Sequence, residues 1–556
     1  MTNSGTAVLV TAFFLLFVTL AYAAPQSVSG PMSVAATHPQ TVRNIDALVD
    51  RMISHGDLRI VRVVHDPLVP GRSHERLHQM WEGLRVLGAD MTRQRDDRQT
   101  RSAFGVLYPD MELDPTPTLS PEDAIASVYG GQQTTLWPTP ELVIFHDADS
   151  ASYRLVYRVH RFVHSGLIVS LVDAQTGALV HTYNDVRTQT AQLPCTSCAV
   201  GSGLGVKGDK KKMSVTASGG VFRANDALRP PAIVTYDMKG DWRRTIDVLT
   251  GDVPLLDSDL AADTDNDWRD GASVDAHTGT GWFYDYLFDR FGRSGLDGLD
   301  GPIVSLVHPI RRSDVFRVPT DIRNLFHLNA FFCGACGPYG TMVYGEGLPP
   351  GLVLESTGQS VDFFAAALDV VGHELGHAVT EFTSQLIYQG ESGALSEAFS
   401  DLLGVGIEFF IAETGRHLAE QPDYIVGEDV LKPGGIRSLA DPQSRGDPDH
   451  YSKRFTGIAD NGGVHTNSLI VTHAYYLAIE GGTNRTSGLP VIGVGSDSRD
   501  QVEQVFYRAF AFLLPAGATF AMARDATIQS ARDLTGGVGG SLEQTIAAAW
   551  SAVGVE

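Results

Sequence analysis

At 556 residues the chain is long enough for about three or four units of ordinary size. Its apolar and charged fractions, 43% and 19%, are those of a soluble globular protein rather than a disordered one. Set against 42 Lys and Arg are 65 Asp and Glu, a formal charge of −23, which argues against a nucleic-acid partner because two polyanions repel, and suits bound cations.

The first element is an apolar run, "AVLVTAFFLLFVTLAYA", ending in Ala21-Tyr22-Ala23, the small-x-small pattern that signal peptidase accepts. It reads as a cleaved secretory signal over residues 1–23, which places the remaining chain outside the cell with no membrane segment. The first residues lack the usual Lys or Arg, so an uncleaved anchor is the alternative. From there to about Val186, short strand-like runs alternate with turns, and Asp173 to Gly177 reads as the turn of a hairpin. A Pro- and Thr-rich segment, "LDPTPTLSPEDA", divides this region near residue 118. Between Cys195 and Gly208 the sequence is Gly-rich and loses periodicity, which predicts an exposed connection and a processing site.

The four cysteines form two close pairs, Cys195/Cys198 and Cys333/Cys336. Their wide separation disfavours a four-thiolate zinc ribbon, and the secretory signal favours disulfides, whose pairing the sequence leaves open. Asn484-Arg485-Thr486 is the only N-glycosylation sequon.

Residues 200–360 read as short strands and long turns, rich in Gly and Asp, and residues 361–556 as mostly helical. The first of these helices is "SVDFFAAALDVVGHELGHAVTEFT", with Ser360 and Asp362 as candidate N-terminal caps. A β-rich half, a helical half and one long helix at the junction predict a cleft between two lobes.

On that helix His373 and His377 stand four residues apart, which puts two imidazoles on one face, able to share one zinc. Glu374 lies one position round, where a general base can reach the attacking water. A third ligand is expected from the next helix, where "GALSEAFSD" offers Glu397, with Asp401 one turn later to accept a hydrogen bond from the far nitrogen of a ligating histidine. Gly372 and Gly376 each cost about 1 kcal/mol in a helix interior, which a purely structural helix has little reason to tolerate.

Taken together, "DVVGHELGHAVTEFTSQLIYQGESGALSEAFSD", "NAFF", "MVYGEG", "IRSLADP", "GDPDHYSKRFTG" and "DNGGVHTNS" resemble the thermolysin-like neutral metalloproteases from about Gly201 to the C-terminus. The resemblance implies an α+β fold. A two-lobed catalytic domain, with a β-rich lobe over 200–360 and a helical lobe over 361–556, is expected to follow an α+β propeptide over 24–199. It implies a zinc endopeptidase made as a zymogen, acting on protein or peptide substrates as a monomer, with its propeptide as intramolecular chaperone and inhibitor.

Residue by residue, the resemblance places zinc on His373, His377 and Glu397, with Glu374 as base. Tyr388 and His465 would hydrogen-bond the developing oxyanion, with Asp460 orienting His465. Asn329 and Ala330 would hold the substrate backbone, and Arg437 the carbonyl after the scissile bond. Val370, Val426 and Ile436 would line an apolar pocket selecting Leu or Phe after that bond. Asp369, Glu408, Asp423 and Glu428 match a double calcium site, with backbone oxygens of Gln421 and Ile425, and Asp263 and Asp265 match a further calcium turn. Three features depart from the pattern: "CGAC" directly after "NAFF", Ser396 where Asn is usual, and a longer segment before Asn329. A degenerate, calcium-stabilised binding protein is the competing reading; it requires a lost catalytic group, yet Glu374, Glu397, Tyr388 and His465 are all present.

Overall fold

The structure is a computed structural model that describes residues 32–556 apart from 97–98, 110, 130–138, 148–151, 164–165, 185–197, 338, 417 and 536. The proposed signal peptide and Cys195 lie outside the described residues.

The N-terminal unit is built on one sheet of nine strands: β1 (Met32–Ala36), β2 (Leu58–His65), β3 (Ser73–Trp81), β4 (Leu84–Arg95), β5 (Thr100–Leu107), β6 (Glu141–Asp147), β7 (Ser152–Val163), β8 (Gly166–Asp173) and β9 (Leu179–Asn184). Helix α1 (Pro39–His55) covers β1, β2 and β5 through one apolar cluster, and α2 (Pro121–Tyr129) closes a second cluster over β6 to β8. Separate apolar clusters thus share one sheet. β8 and β9 do form a hairpin, its turn held by the Asp173 carboxylate, which accepts from the amides of Gln175 and Thr176 at 3.0 and 2.8 Å.

The stretch after Cys195 departs from expectation. Cys198–Leu204 is a strand, β10, paired residue by residue with β11 (Lys210–Ser218); Gly201 and Gly203 are its buried positions, and a Cβ on Gly203 would come within 2.5 Å of Val274 and 3.1 Å of Trp268. Among the described residues of this stretch, only the turn at 205–209 is irregular. The β-rich lobe continues with β12 (Val221–Arg223), β13 (Asn225–Asp226), β14 (Ile233–Asp237), β15 (Ala262–Asp263), β16 (Asp267–Trp268), β17 (Ile303–Val307), β18 (Ala330–Cys333) and β19 (Thr341–Tyr344). Three helices lie among them, α3 (Trp242–Leu249), α4 (Gly271–Phe291) and α5 (Thr320–Phe326). The 21-residue α4 escaped the reading of this region as strands and turns. It is buried on most sides, so it shows no apolar stripe, and its glycines and threonines are poor helix formers.

The helical lobe comprises α6 (Leu368–Glu381), α7 (Gly390–Glu413), α8 (Ala459–Glu480), α9 (Arg499–Arg508), α10 (Phe520–Thr535) and α11 (Ser541–Ala552). α6 starts later than expected: Ser360 lies in a short strand, and the turn Phe364–Ala366 precedes the helix, so neither Ser360 nor Asp362 caps it. No described helix is long and apolar enough to cross a membrane. The Asn484 sequon is closed, since its fully buried amide donates to the Asp449 carbonyl at 2.7 Å.

Candidate active site

α6 and α7 approach each other backbone to backbone. A Cβ on Gly372 would come within 2.9 Å of Gly404 Cα, and one on Gly376 within 2.8 Å of Ser400 Cα. The two glycines therefore have a packing reason, contrary to the inference that only function explains them. The close approach sets the face of α7 carrying Glu397 and Asp401 against the histidines.

His373 Nε2 and His377 Nε2 lie 3.1 Å apart, and each is 3.4 Å from a Glu397 oxygen. Glu397 is fully buried, and its Oε2 has no hydrogen-bond partner. Two ring nitrogens facing each other and an orphaned buried carboxylate oxygen are unsatisfied without a cation among them. Burial pushes His377 down to about 3, the neutral form a metal ligand requires. Burial opposes charge on His373 too, but the hydrogen bond to Asp401 and the negative charges of Glu397 and Asp401 outweigh it and hold that ring up to about 10. The donor set, two imidazoles and a carboxylate, fits zinc.

Asp401 accepts from three directions. His373 Nδ1 is 2.8 Å from its Oδ1, and Arg437 donates through Nη2 at 2.6 Å and Nε at 2.8 Å. Glu374 is buried against the same face, which pushes its carboxyl up to about 7. Tyr388 donates its hydroxyl to Glu397 and sits 3.3 Å from His465 Nε2. His465 Nδ1 is 2.6 Å from Asp460 Oδ1. That contact depends on four successive left-handed residues, Asp460 to Gly463, which turn the start of α8 back on itself and return the Asp460 carboxylate to the His465 amide as well.

His373, Glu374, His377, Tyr388, Glu397, Arg437 and His465 line a cleft of about 460 Å³ together with Asn329, Ala330, Val370, Val426 and Ile436. Phe332 and Leu386 also face it and were not singled out from sequence, where nothing separates them from core residues.

A second cluster lies behind α6. Ligand atoms of Glu408, Glu428 and Asp429 are all within 4.8 Å of one another. Glu408 Oε2 and Glu428 Oε2 are buried without partners, and burial with mutual repulsion raises Glu428 to about 8, Asp369 to about 6 and Glu408 well above its usual range. The charge of Asp423 adds to the rise of both Glu408 and Glu428. Asp429 was missed, although it follows Glu428 directly; Lys207 of the β-rich lobe pairs with it. In the other acidic turn Asp263 accepts the amides of Asp265 and Asn266 at 2.8 and 2.7 Å, and Asp265 pairs with Arg269 at 3.1 Å.

The profile described as "Thermolysin metallopeptidase, catalytic domain" matches residues 200–381, and "Thermolysin metallopeptidase, alpha-helical domain" matches 384–555. The chain belongs to the thermolysin family. As a thermolysin-family protein it is a zinc-dependent metalloendopeptidase. It is 35% identical over 515 residues to thermolysin of Bacillus sp. (strain EA1), covering 87% of this chain and 84% of that one. It is 33% identical over 533 residues to bacillolysin of Bacillus cereus, covering 89% and 84%. Among solved structures it is similar to the precursor of protealysin, a metalloproteinase from Serratia proteamaculans, at 25% identity and a TM-score of 0.42, covering 58% of this chain and 87% of that one. The match to the first profile ends at residue 381, the last of α6, and the match to the second begins at 384.

Proposed function

We propose that the protein is a secreted endopeptidase, made as a zymogen, that hydrolyses peptide bonds on the amino side of bulky hydrophobic residues. The observation carrying this reading is the meeting of His373, His377 and Glu397 at the floor of a cleft with Glu374 beside them. When bound there, zinc supplies a Lewis acid that polarises the scissile carbonyl and acidifies the attacking water. Glu374 takes a proton from that water and passes it to the leaving amine. Tyr388 donates its hydroxyl to the oxyanion developing on the substrate. Asp460 favours the doubly protonated His465 ring, which donates from Nε2 to the same oxygen.

Asn329 and Ala330 hold the substrate backbone, and Arg437, fixed on Asp401, takes the carbonyl after the scissile bond. Val370 and Val426, both buried, and Ile436, 40% exposed at the rim, favour Leu or Phe in the pocket beyond that bond. Calcium at Asp369, Glu408, Asp423 and Glu428, with Asp429 added, would brace the zinc-bearing helix through Asp369, which sits one turn before His373.

The N-terminal unit is the inhibitory propeptide in this reading. Support comes from its grip on backbone groups around the end of α6. Arg62 donates to the Phe382 carbonyl, and Arg76 donates to Ser384 and Leu514 at 3.1 Å each. His181 reaches Gln389, the neighbour of Tyr388, at 2.5 Å. Casein hydrolysis and zinc content, measured on wild type and Glu374→Ala, test the chemistry. Cleavage of a peptide library dominated by acidic or basic residues after the scissile bond would overturn the specificity.

A further inference from the structure

β18 is the last strand of its sheet, in the order β13-β14-β17-β19-β18, and among the described residues only β19 pairs with it. Its other edge faces the cleft: Asn329, Ala330 and Phe332 line the cavity, and the Phe332 ring lies 6.5 Å from that of His377. A free edge offers alternating amides and carbonyls to which an extended peptide can add as another strand. Such an edge selects side chains only while its register holds, since a slip of one residue exchanges the two faces.

With four residues and a single partner, β18 has little of its own to hold that register. Its far end is held by a covalent bond. Cys333, the final residue of the strand and fully buried, is bonded to Cys336, which is 8% exposed, and the Cys336 amide donates to the Cys333 carbonyl at 3.4 Å. Both cysteines sit in the apolar core beneath the strand with Phe326, Phe331 and Val343. Beyond it Gly337 and Gly340 adopt φ of 96° and 95°, conformations that favour glycine.

We propose that the Cys333–Cys336 disulfide is a positioning device for substrate: it pegs the far end of β18, keeps the free edge in one register beyond Ala330, and so sets the preference for peptides long enough to run along that edge. This rests on the reading above in which Asn329 and Ala330 hold the substrate backbone. The disulfide touches none of the reacting groups, so a minimal substrate should not sense it.

The test compares two peptides with the same residues at the scissile bond, a blocked dipeptide amide and one extended by about three residues on its amino side, the reach of a short strand. In the full chain carrying Cys333→Ser and Cys336→Ser, the extended-to-minimal ratio of kcat/KM falls by about fivefold or more through KM for the long peptide, with the minimal peptide within about twofold of wild type and zinc content unchanged. A ratio unchanged within about twofold, or an equal loss on both peptides, overturns the inference. Should the double variant not fold, wild type reduced in place by a phosphine, with thiols counted, takes its place: the ratio drops and returns on reoxidation, and a reduced enzyme with the wild-type ratio overturns the inference. Wild type that cleaves neither peptide overturns the reading of the cleft itself. Wild type that cleaves both with no preference for length overturns only the role given to the disulfide.

Discussion

Arg508 of α9 and Asp66, at the end of β2, meet across the boundary between the N-terminal unit and the helical lobe, Nε to Oδ2 at 2.9 Å, and both side chains are wholly excluded from solvent. Arg508 also pairs with Asp533 at 2.9 Å, and Asp66 with His74 at 2.9 Å, whose ring stacks on Phe512 of the lobe. Removing one member of a buried pair strands the other charge, which costs on the order of 3 kcal/mol. In a Glu374→Ala background, where the proposed processing is blocked, Asp66→Ala should destabilise the whole chain by about that amount in urea unfolding. A change below about 0.5 kcal/mol would remove the pair from any part in holding the unit in place.

Glu374→Ala should keep its zinc and lose roughly 10²- to 10⁴-fold in kcat on casein, the usual contribution of a positioned general base. Zinc measured on the same sample separates this from loss of metal. Retained activity would show that another group takes the proton.

Tyr388→Phe should lower kcat by about 10²-fold with KM within about twofold, because a hydrogen bond made only to the developing oxyanion is absent in the ground state. Steady-state kinetics on a single peptide decide it. A rise in KM at constant kcat would assign Tyr388 to binding instead.

His308 lies 2.6 Å from Glu346 and 2.9 Å from Asp270. Burial alone would lower its pKa, but hydrogen bonds to Asp270 and Glu346 outweigh burial and raise it to about 9. A raised pKa in the folded state contributes stability that is complete below the unfolded value of about 6.5 and is lost as pH rises through 9. The melting temperature should therefore fall between these values, reflecting on the order of 3 kcal/mol, and His308→Gln should flatten that part of the curve. A variant that keeps the wild-type slope would place the loss elsewhere.

Removing calcium should shorten the half-life of the enzyme at elevated temperature before zinc is lost, because Glu408, Glu428, Asp369 and Asp429 would then crowd one another unscreened behind α6. Thermal inactivation in chelator with zinc resupplied checks this. A half-life equal to that in calcium would sink the calcium assignment.

The helix bearing His373 and His377 was legible because its information is local. His373, Glu374 and His377 acquire their relation from helix geometry alone, and Glu397 follows twenty residues on, within reach of one helical hairpin. The hairpin of β8 and β9 was legible through its turn chemistry. Helix α4 was not, since a helix buried on most sides has no stripe to read. β10 was missed for the opposite reason: its glycines read as a loop until β11 and Trp268 supply a surface to pair with and pack against.

By itself the sequence determined the donor set of His373, His377 and Glu397 and the succession of a strand-rich and a helical half, properties of residue type and short-range spacing. Tertiary structure alone decided that Gly372 and Gly376 serve close helix packing, that Asp429 joins the acidic cluster, that Asn484 is shut inside the fold, and that Cys333 and Cys336 close the end of the strand lining the cleft. Each of these depends on what lies opposite a residue once distant segments meet. That is set by burial and by which polar atoms are left without partners, quantities no local spacing contains.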